Sequence, residues 1–387
     1  MSLFKAREWW STSCGTGEEF DLGLLAVGNA DDAEDGSHKI VVASFAGVLR
    51  VYHPTKREYG VSDLILESDL GSPVLQLALG DFGVNDSVGE ARASVVVLFS
   101  KSIAVFSVNV VGGSTNEANG ASYHTLQKEH EMQFTSPSAN FAVGPFIGKP
   151  YDGICVQSMD GEWTVFDGNT ASFSVTLGHD FLLPGPIAYC PRMDAFVTAT
   201  SRFEVEKYGL RTLAASAKGN TAAGDKKPVK PDWKVCVGEG ITQITSATGF
   251  VEPGTRKTPK NGQQARVDLI ALGERSLFVI NEFGEMTLQK RLDYVPLCMH
   301  AFRVNPTLGL GGEQSPTHLI ITDHTGSGMV YKGSRTIWAA KFEVSISHFH
   351  IPKTDYTYKT DISFFTISKR RARSWRARCS GAWVVCW

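Results

Sequence analysis

Residues 151–168 read YDGICVQSMDGEWTVFDG, and the way this stretch alternates decides the fold. Ile154, Val156 and Ser158 alternate with Cys155, Gln157 and Met159; after Asp160-Gly161, Trp163, Val165 and Asp167 alternate with Thr164 and Phe166. Period two with β-branched and aromatic side chains is the pattern of a strand, and Asp-Gly between two such runs is a strong hairpin signal. The stretch is read as an antiparallel hairpin. Beyond it, Phe181-Leu182-Leu183-Pro184-Gly185-Pro186 is apolar, but two prolines remove ladder donors and fix φ. This segment is expected to be a buried, rigid crossover to a further hairpin beginning at Ile187.

The same grammar recurs along the chain. Lys39–Ser44 turns at Ala46-Gly47 into Val48–Tyr52, and Ala93–Phe99 turns at Ser100–Ser102 into Ile103–Val108. Asp194–Thr200 turns near Arg202 into Phe203–Tyr208, Val267–Leu272 turns at Gly273–Arg275 into Leu277–Asn281, and His318–Thr322 turns at His324–Gly326 into Gly328–Tyr331. Met286–Leu292 and Arg335–Phe342 read as further strands, and Gly23–Gly28 as a short one. Apolar lead-in strands precede several pairs, at Val74–Leu79, Ala142–Ile147 and Ile241–Thr248. The turns fall roughly 40 to 70 residues apart, around the repeat length of propeller blades. An all-β fold of radially repeated small sheets, a β-propeller, is the architecture this implies.

Helix signals are sparse. Thr125–Met132 reads either as a short turn of helix or as strand, and residues 3–10 as a helix start or an edge strand, with Trp9-Trp10 needing burial. Gly112–Ser122, Ala214–Pro231 and Pro253–Gln264 are rich in Gly, Ser, Asn, Lys or Pro and read as surface loops inside one repeat array. After His348 the turn grammar disappears. A single propeller domain over 1–345 is expected, followed by an atypical tail over 346–387, disordered or aberrant, with the basic run Lys369–Arg378.

A length of 387 residues, a net charge of −2, and hydrophobic and charged fractions of 42% and 20% fit an ordinary globular chain. A balance so near neutral gives no support for nucleic acid as a partner. No run reaches the roughly 18 apolar residues of a membrane helix. The seven cysteines are scattered without a CxxC pair, the pattern of reduced, mostly buried thiols.

Chemical motifs fail one by one. Gly144–Pro150 is one residue short of a phosphate loop and puts Pro150 where a magnesium-binding hydroxyl belongs. Gly309–Gly312 lacks a dinucleotide setting. There is no HExxH or GxSxG. His348 and His350 would share a strand face, but with no third ligand in sequence they are read as structural. The reading therefore names no catalytic, cofactor-binding or metal-binding residue and no cofactor.

The phrases QSMDGEWTVF, FLLPGPIAY and the opening MSLFKAREWWS resemble the N-terminal β-propeller of the ninth Bardet–Biedl syndrome protein family (parathyroid hormone-responsive B1), BBSome subunits. The resemblance covers roughly residues 1–342. It implies a seven-bladed propeller, its last blade incomplete in this sequence, and a non-enzymatic scaffold in a membrane coat that supports ciliary membrane-protein trafficking and cilium assembly. It implies as partners other BBSome subunits and, indirectly, an Arf-like small GTPase and ciliary membrane-protein cargo, with peripheral membrane association through the complex and no nucleic acid. The implied location is the cilium, basal body, centriolar satellites and cytoplasm. The alternative is a propeller enzyme or small-ligand binder using the central channel, which needs convergent carboxylates, arginines or histidines on the lead-in strands; these carry mainly Val, Leu, Ala and Phe.

Overall fold

The computed structural model describes residues 10–33, 36–56, 58–83, 91–112, 123–178, 183–223, 228–251, 267–303, 317–342, 365–369 and 381–386. They form two compact units, Glu8–Thr176 with Ser363–Trp387, and Leu177–Ile362.

In the first unit, β1 (Trp10–Thr16) stands apart from three consecutive meanders. The first is β2 (Leu25–Gly28), β3 (Lys39–Ala43), β4 (Val48–Tyr52) and β5 (Leu64–Asp69). The second is β6 (Gln76–Gly83), β7 (Ala91–Leu98), β8 (Ser102–Val111) and β9 (Tyr123–Gln133). The third is β10 (Ser138–Gly144), β11 (Gly153–Ser158), β12 (Glu162–Asp167) and β13 (Thr170–Thr176). The second unit repeats the plan three times. Its sheets are β14 (Ile187–Cys190), β15 (Ala195–Ala199), β16 (Glu204–Gly209) and β17 (Trp233–Cys236); β18 (Ile241–Thr248), β19 (Val267–Gly273), β20 (Ser276–Asn281) and β21 (Met286–Arg291); and β22 (Pro296–Arg303), β23 (Thr317–Asp323), β24 (Ser327–Lys332) and β25 (Arg335–Lys341). Helix α1 (Leu210–Ala223) is inserted between β16 and β17. In each sheet neighbouring strands are consecutive and antiparallel, the build of a propeller blade. Near the C-terminus, β26 (Phe365–Lys369) and β27 (Gly381–Cys386) pair with each other, and β27 pairs with β1 to make a three-stranded sheet.

Several middle strands are buried on both faces. All residues of β3, β15, β19 and β20 are buried, which is why they read as near-continuous apolar runs. Leu24, Val41, Leu49 and Val51 of the first meander pack with Val95, Val97 and Val108 of the second, and Leu269, Phe278 and Ile280 pack with Val197 and Val205 in the other unit. Burying a side chain of this size is worth roughly 1.5–3 kcal/mol.

Two devices repeat in the backbone. The turn from second to third strand places its fourth residue at positive φ: Gly47, Gly161 and Gly326 lie at 87°, 82° and 84°, angles that cost a side chain but not glycine. Five of the six third strands, all but β16, then carry a valine followed by an aromatic residue or isoleucine, at Val51-Tyr52, Val105-Phe106, Val165-Phe166, Val279-Ile280 and Val330-Tyr331. There the register to the outer strand shifts by a bulge. The bulge bends the outer strand and raises its twist.

First strands are tied across sheets. Gln76 of β6 donates from Nε2 to the Phe141 carbonyl (3.1 Å) and accepts at Oε1 from the Phe141 N–H (3.0 Å). In the other unit Gln243 Oε1 of β18 accepts from Met299 N–H of β22 at 2.6 Å. The phrase Tyr151-Asp152-Gly153 is another tie. The Asp152 N–H donates to the Asp81 carbonyl at 2.7 Å, a Cβ on Gly83 would meet the Tyr151 ring at 3.2 Å, and one on Gly153 would meet the Phe146 ring at 2.5 Å.

Several expectations need correction. Ala214–Pro231, expected as a loop, begins inside α1, where Leu213 and Ala217, four residues apart, are the buried side chains. Of the two readings of Thr125–Met132 the strand holds, as part of β9, and the lead-in at Val74 starts at Gln76. In the crossover, Leu183 is exposed rather than buried, and Pro184 to Pro186 are half-buried; Phe181 and Leu182 lie outside the described residues, whereas β14 does begin at Ile187. The atypical tail contributes β26 and β27. Trp10 is buried; Trp9, Ser122, Pro253–Gln264, Gly309–Gly312, His348 and His350 lie outside the described residues. The stretch after Gly144 is a strand end and turn, not a phosphate loop.

Candidate docking surface

Several of the described side chains that could carry chemistry are engaged in holding the fold. Arg50 of β4, buried, donates from Nη2 to Glu18 Oε1 (2.7 Å), from Nη1 to Glu18 Oε2 (2.8 Å), from Nε to Glu67 Oε2 (2.7 Å) and from Nη1 to the Cys14 carbonyl (3.3 Å). The guanidinium hydrogen bond holds the Glu18 carboxyl below its ordinary range, against the opposing effect of burial. Beside it, Trp10 Nε1 donates to Asp63 Oδ2 at 2.9 Å and packs edge-on against Tyr52 at 5.7 Å. Burial works to raise the Asp63 carboxyl, but hydrogen bonds from the Gly60 N–H and Trp10 keep it lowered. These contacts clamp β1 onto the first meander.

Two further clusters sit at sheet ends. Asp31, in the link from β2 to β3, lies 2.7 Å from the buried Lys39 Nζ and 3.6 Å from His124 Nε2 of β9. Asp167 accepts from Lys149 Nζ at 2.9 Å and from the Tyr151 hydroxyl at 2.7 Å. Among the described residues no three His, Cys, Asp or Glu side chains converge as a metal site. Cys14, Cys155, Cys190 and Cys298 are buried and Cys236 is exposed, none of them in a disulfide; burial pushes the Cys190 thiol up to about 11, so it is not a nucleophile at neutral pH. A recess of about 230 Å³ between the first two meanders is lined by Asp69, Leu70, Phe106, Leu126, Lys128 and Glu131, and its cation is tied up in the 2.7 Å Lys128–Glu131 pair. The first strands β2, β6, β10, β14, β18 and β22 hold only Asp81, His300 and Arg303 as charged or histidine residues, a poor start for the channel-based alternative.

What the chain does offer is rigid hairpin ends with exposed apolar side chains. Val61, Tyr123, Leu183, Phe203 and Phe283 all stand in solvent at turns or strand ends. Sequence reading assigned none of them a docking role: Leu183 was expected to be buried and Phe203 to open a strand; a turn residue that is apolar where neighbouring turns are polar is the signal that was available. Large apolar groups left exposed on a fixed frame are the raw material of protein–protein contacts.

Comparison with known proteins agrees with this picture. The chain is 36% identical to Protein PTHB1 of Xenopus laevis over 88% of its length and 38% of the relative. It is 33% identical to the Homo sapiens protein of the same name over 91% of its length and 37% of that relative. It thus spans a little over a third of these relatives. Among solved structures it is similar to BBS1N, crystallised in complex with ARL6DN, with a TM-score of 0.63 at 12% identity, covering 98% of this chain and 95% of that one. It also matches Raptor of Chaetomium thermophilum, with a TM-score of 0.58 at 7% identity, over 98% of this chain and 28% of that one. These likenesses identify the fold as an all-β propeller. Residues 1–361 match the family described as PTHB1 N-terminal, and with relatives a third identical along most of its length, the chain belongs to that family.

Proposed function

We propose that this chain is a non-enzymatic scaffold, the propeller part of a BBSome subunit, supporting ciliary membrane-protein trafficking and cilium assembly through protein–protein contacts. The observation that carries the reading is membership of the PTHB1 N-terminal family over residues 1–361, on a frame whose ionisable clusters are spent on structure. The domain is a single propeller over 1–345, seven-bladed in the resembling family with its last blade incomplete here, followed by an atypical tail over 346–387. Its direct partners are other BBSome subunits. An Arf-like small GTPase and ciliary membrane-protein cargo are reached indirectly, a reading supported by the likeness to BBS1N, which was crystallised with ARL6DN. Membrane association is peripheral and through the complex, and the chain resides at cilium, basal body, centriolar satellites and cytoplasm.

The test is affinity purification of the tagged chain from ciliated cells, with the other BBSome subunits read by mass spectrometry. Their recovery in stoichiometric amount is expected; recovery of none above an unrelated tagged propeller overturns the proposal.

A further inference from the structure

The turn joining β20 to β21, Asn281-Glu282-Phe283-Gly284-Glu285, is held at every peptide. The Asn281 N–H donates to the Glu285 carbonyl at 2.9 Å and the Gly284 N–H to the Asn281 carbonyl at 3.1 Å. The buried Asn281 side chain accepts at Oδ1 from the N–H groups of Phe283 and Glu285, both at 2.9 Å, and donates from Nδ2 to Glu285 Oε2 at 2.8 Å. From below, the Trp233 indole donates to the Glu282 carbonyl at 3.0 Å. Its ring closes so near Gly284, at φ 85°, that a Cβ there would meet it at 2.9 Å. On this frame Phe283 is 73% exposed, with Met286 beside it at 36%.

A ring held out on a turn bonded at this many points loses less freedom when it is captured than one on a loose loop, so more of its burial is returned as affinity. Glu282 and Glu285 flank it and the turn contains no cation. An acidic collar around an apolar knob selects its receptor by charge, and like-charged rims are rejected.

We infer that Phe283 is an anchor for a partner protein, inserting into an apolar pocket whose rim carries lysine or arginine. The inference rests on the scaffold reading above, the partner being another BBSome subunit. Because the side chain lies in solvent, Phe283→Ala keeps the melting temperature of the parent chain, whereas Asn281→Ala, which unties the turn, lowers it.

The experiment measures binding of the chain to each recombinant BBSome subunit by biolayer interferometry at two salt concentrations. Expected for at least one subunit are a loss of about 30-fold with Phe283→Ala, retention with Phe283→Trp, and a loss of roughly tenfold with Glu285→Lys that shrinks at high salt. Equal affinities for parent and Phe283→Ala overturn the anchor and leave the scaffold reading standing. No binding of the parent chain to any subunit overturns both. Self-association that Phe283→Ala abolishes would make a second copy the occupant and overturn the basic-rimmed partner.

Discussion

At the turn from β15 to β16, Phe203 sits at φ 61°, a region that raises the energy of any residue with a Cβ by roughly 1–2 kcal/mol. The sister turns use Gly47, Gly161 and Gly326 at this position, and Phe203 is 47% exposed, so burial offsets little of the cost. Phe203→Gly is expected to raise stability by about 1 kcal/mol, read as a higher urea midpoint at unchanged slope. The Arg50–Glu18 pair makes a pH prediction. Glu18 titrates below its ordinary value of 4.5 in the folded chain, so the pair contributes stability that is present above that value and lost as pH falls through the lowered one. Acid unfolding of Glu18→Gln, followed by tryptophan fluorescence, should show a smaller fall in stability below pH 4.5 than the parent. Glycine turns were legible because the glycine itself, after Ala46, Asp160 or Thr325, announces the left-handed position. Phe203 was not, since Thr-Ser-Arg-Phe carries no such mark, and nothing local links Arg50 to a glutamate 32 residues earlier.

Strand position within a sheet decided what could be read from pattern. Second and third strands, buried on two faces, stand out as valine- and isoleucine-rich runs. The outer strands β5, β9 and β13 present one side to solvent and break their alternation at the bulge opposite the valine–aromatic step, and β17 is only four residues long, so they went unread or stayed ambiguous. Helix α1 was missed because Gly219, Asn220 and Thr221 dilute the helix-forming half before them; Leu213 and Ala217 at i, i+4 were the available sign. The glutamine ties between first strands were equally invisible, since a single Gln in an apolar strand looks like noise. Gln76→Leu is expected to cost roughly 2 kcal/mol, because it leaves the N–H and C=O of Phe141 unpaired together. Denaturant unfolding would measure that loss, and a cost below 0.5 kcal/mol would show the clamp to be dispensable.

For the molecule as a whole, the repeat of short sheets was plain from six hairpins, and the described residues form six four-stranded sheets. Docking positions were not plain, because exposure is set by which turn a side chain crowns rather than by its own type. The pairing of β1 with β27, Trp10 opposite Cys386, bears on biogenesis. A translating ribosome releases Trp10 first and Cys386 only after the entire second unit has been synthesised. The nascent chain must therefore hold β1 without this partner until β27 has been made, the stage at which a chaperone guarding a bare strand edge would act.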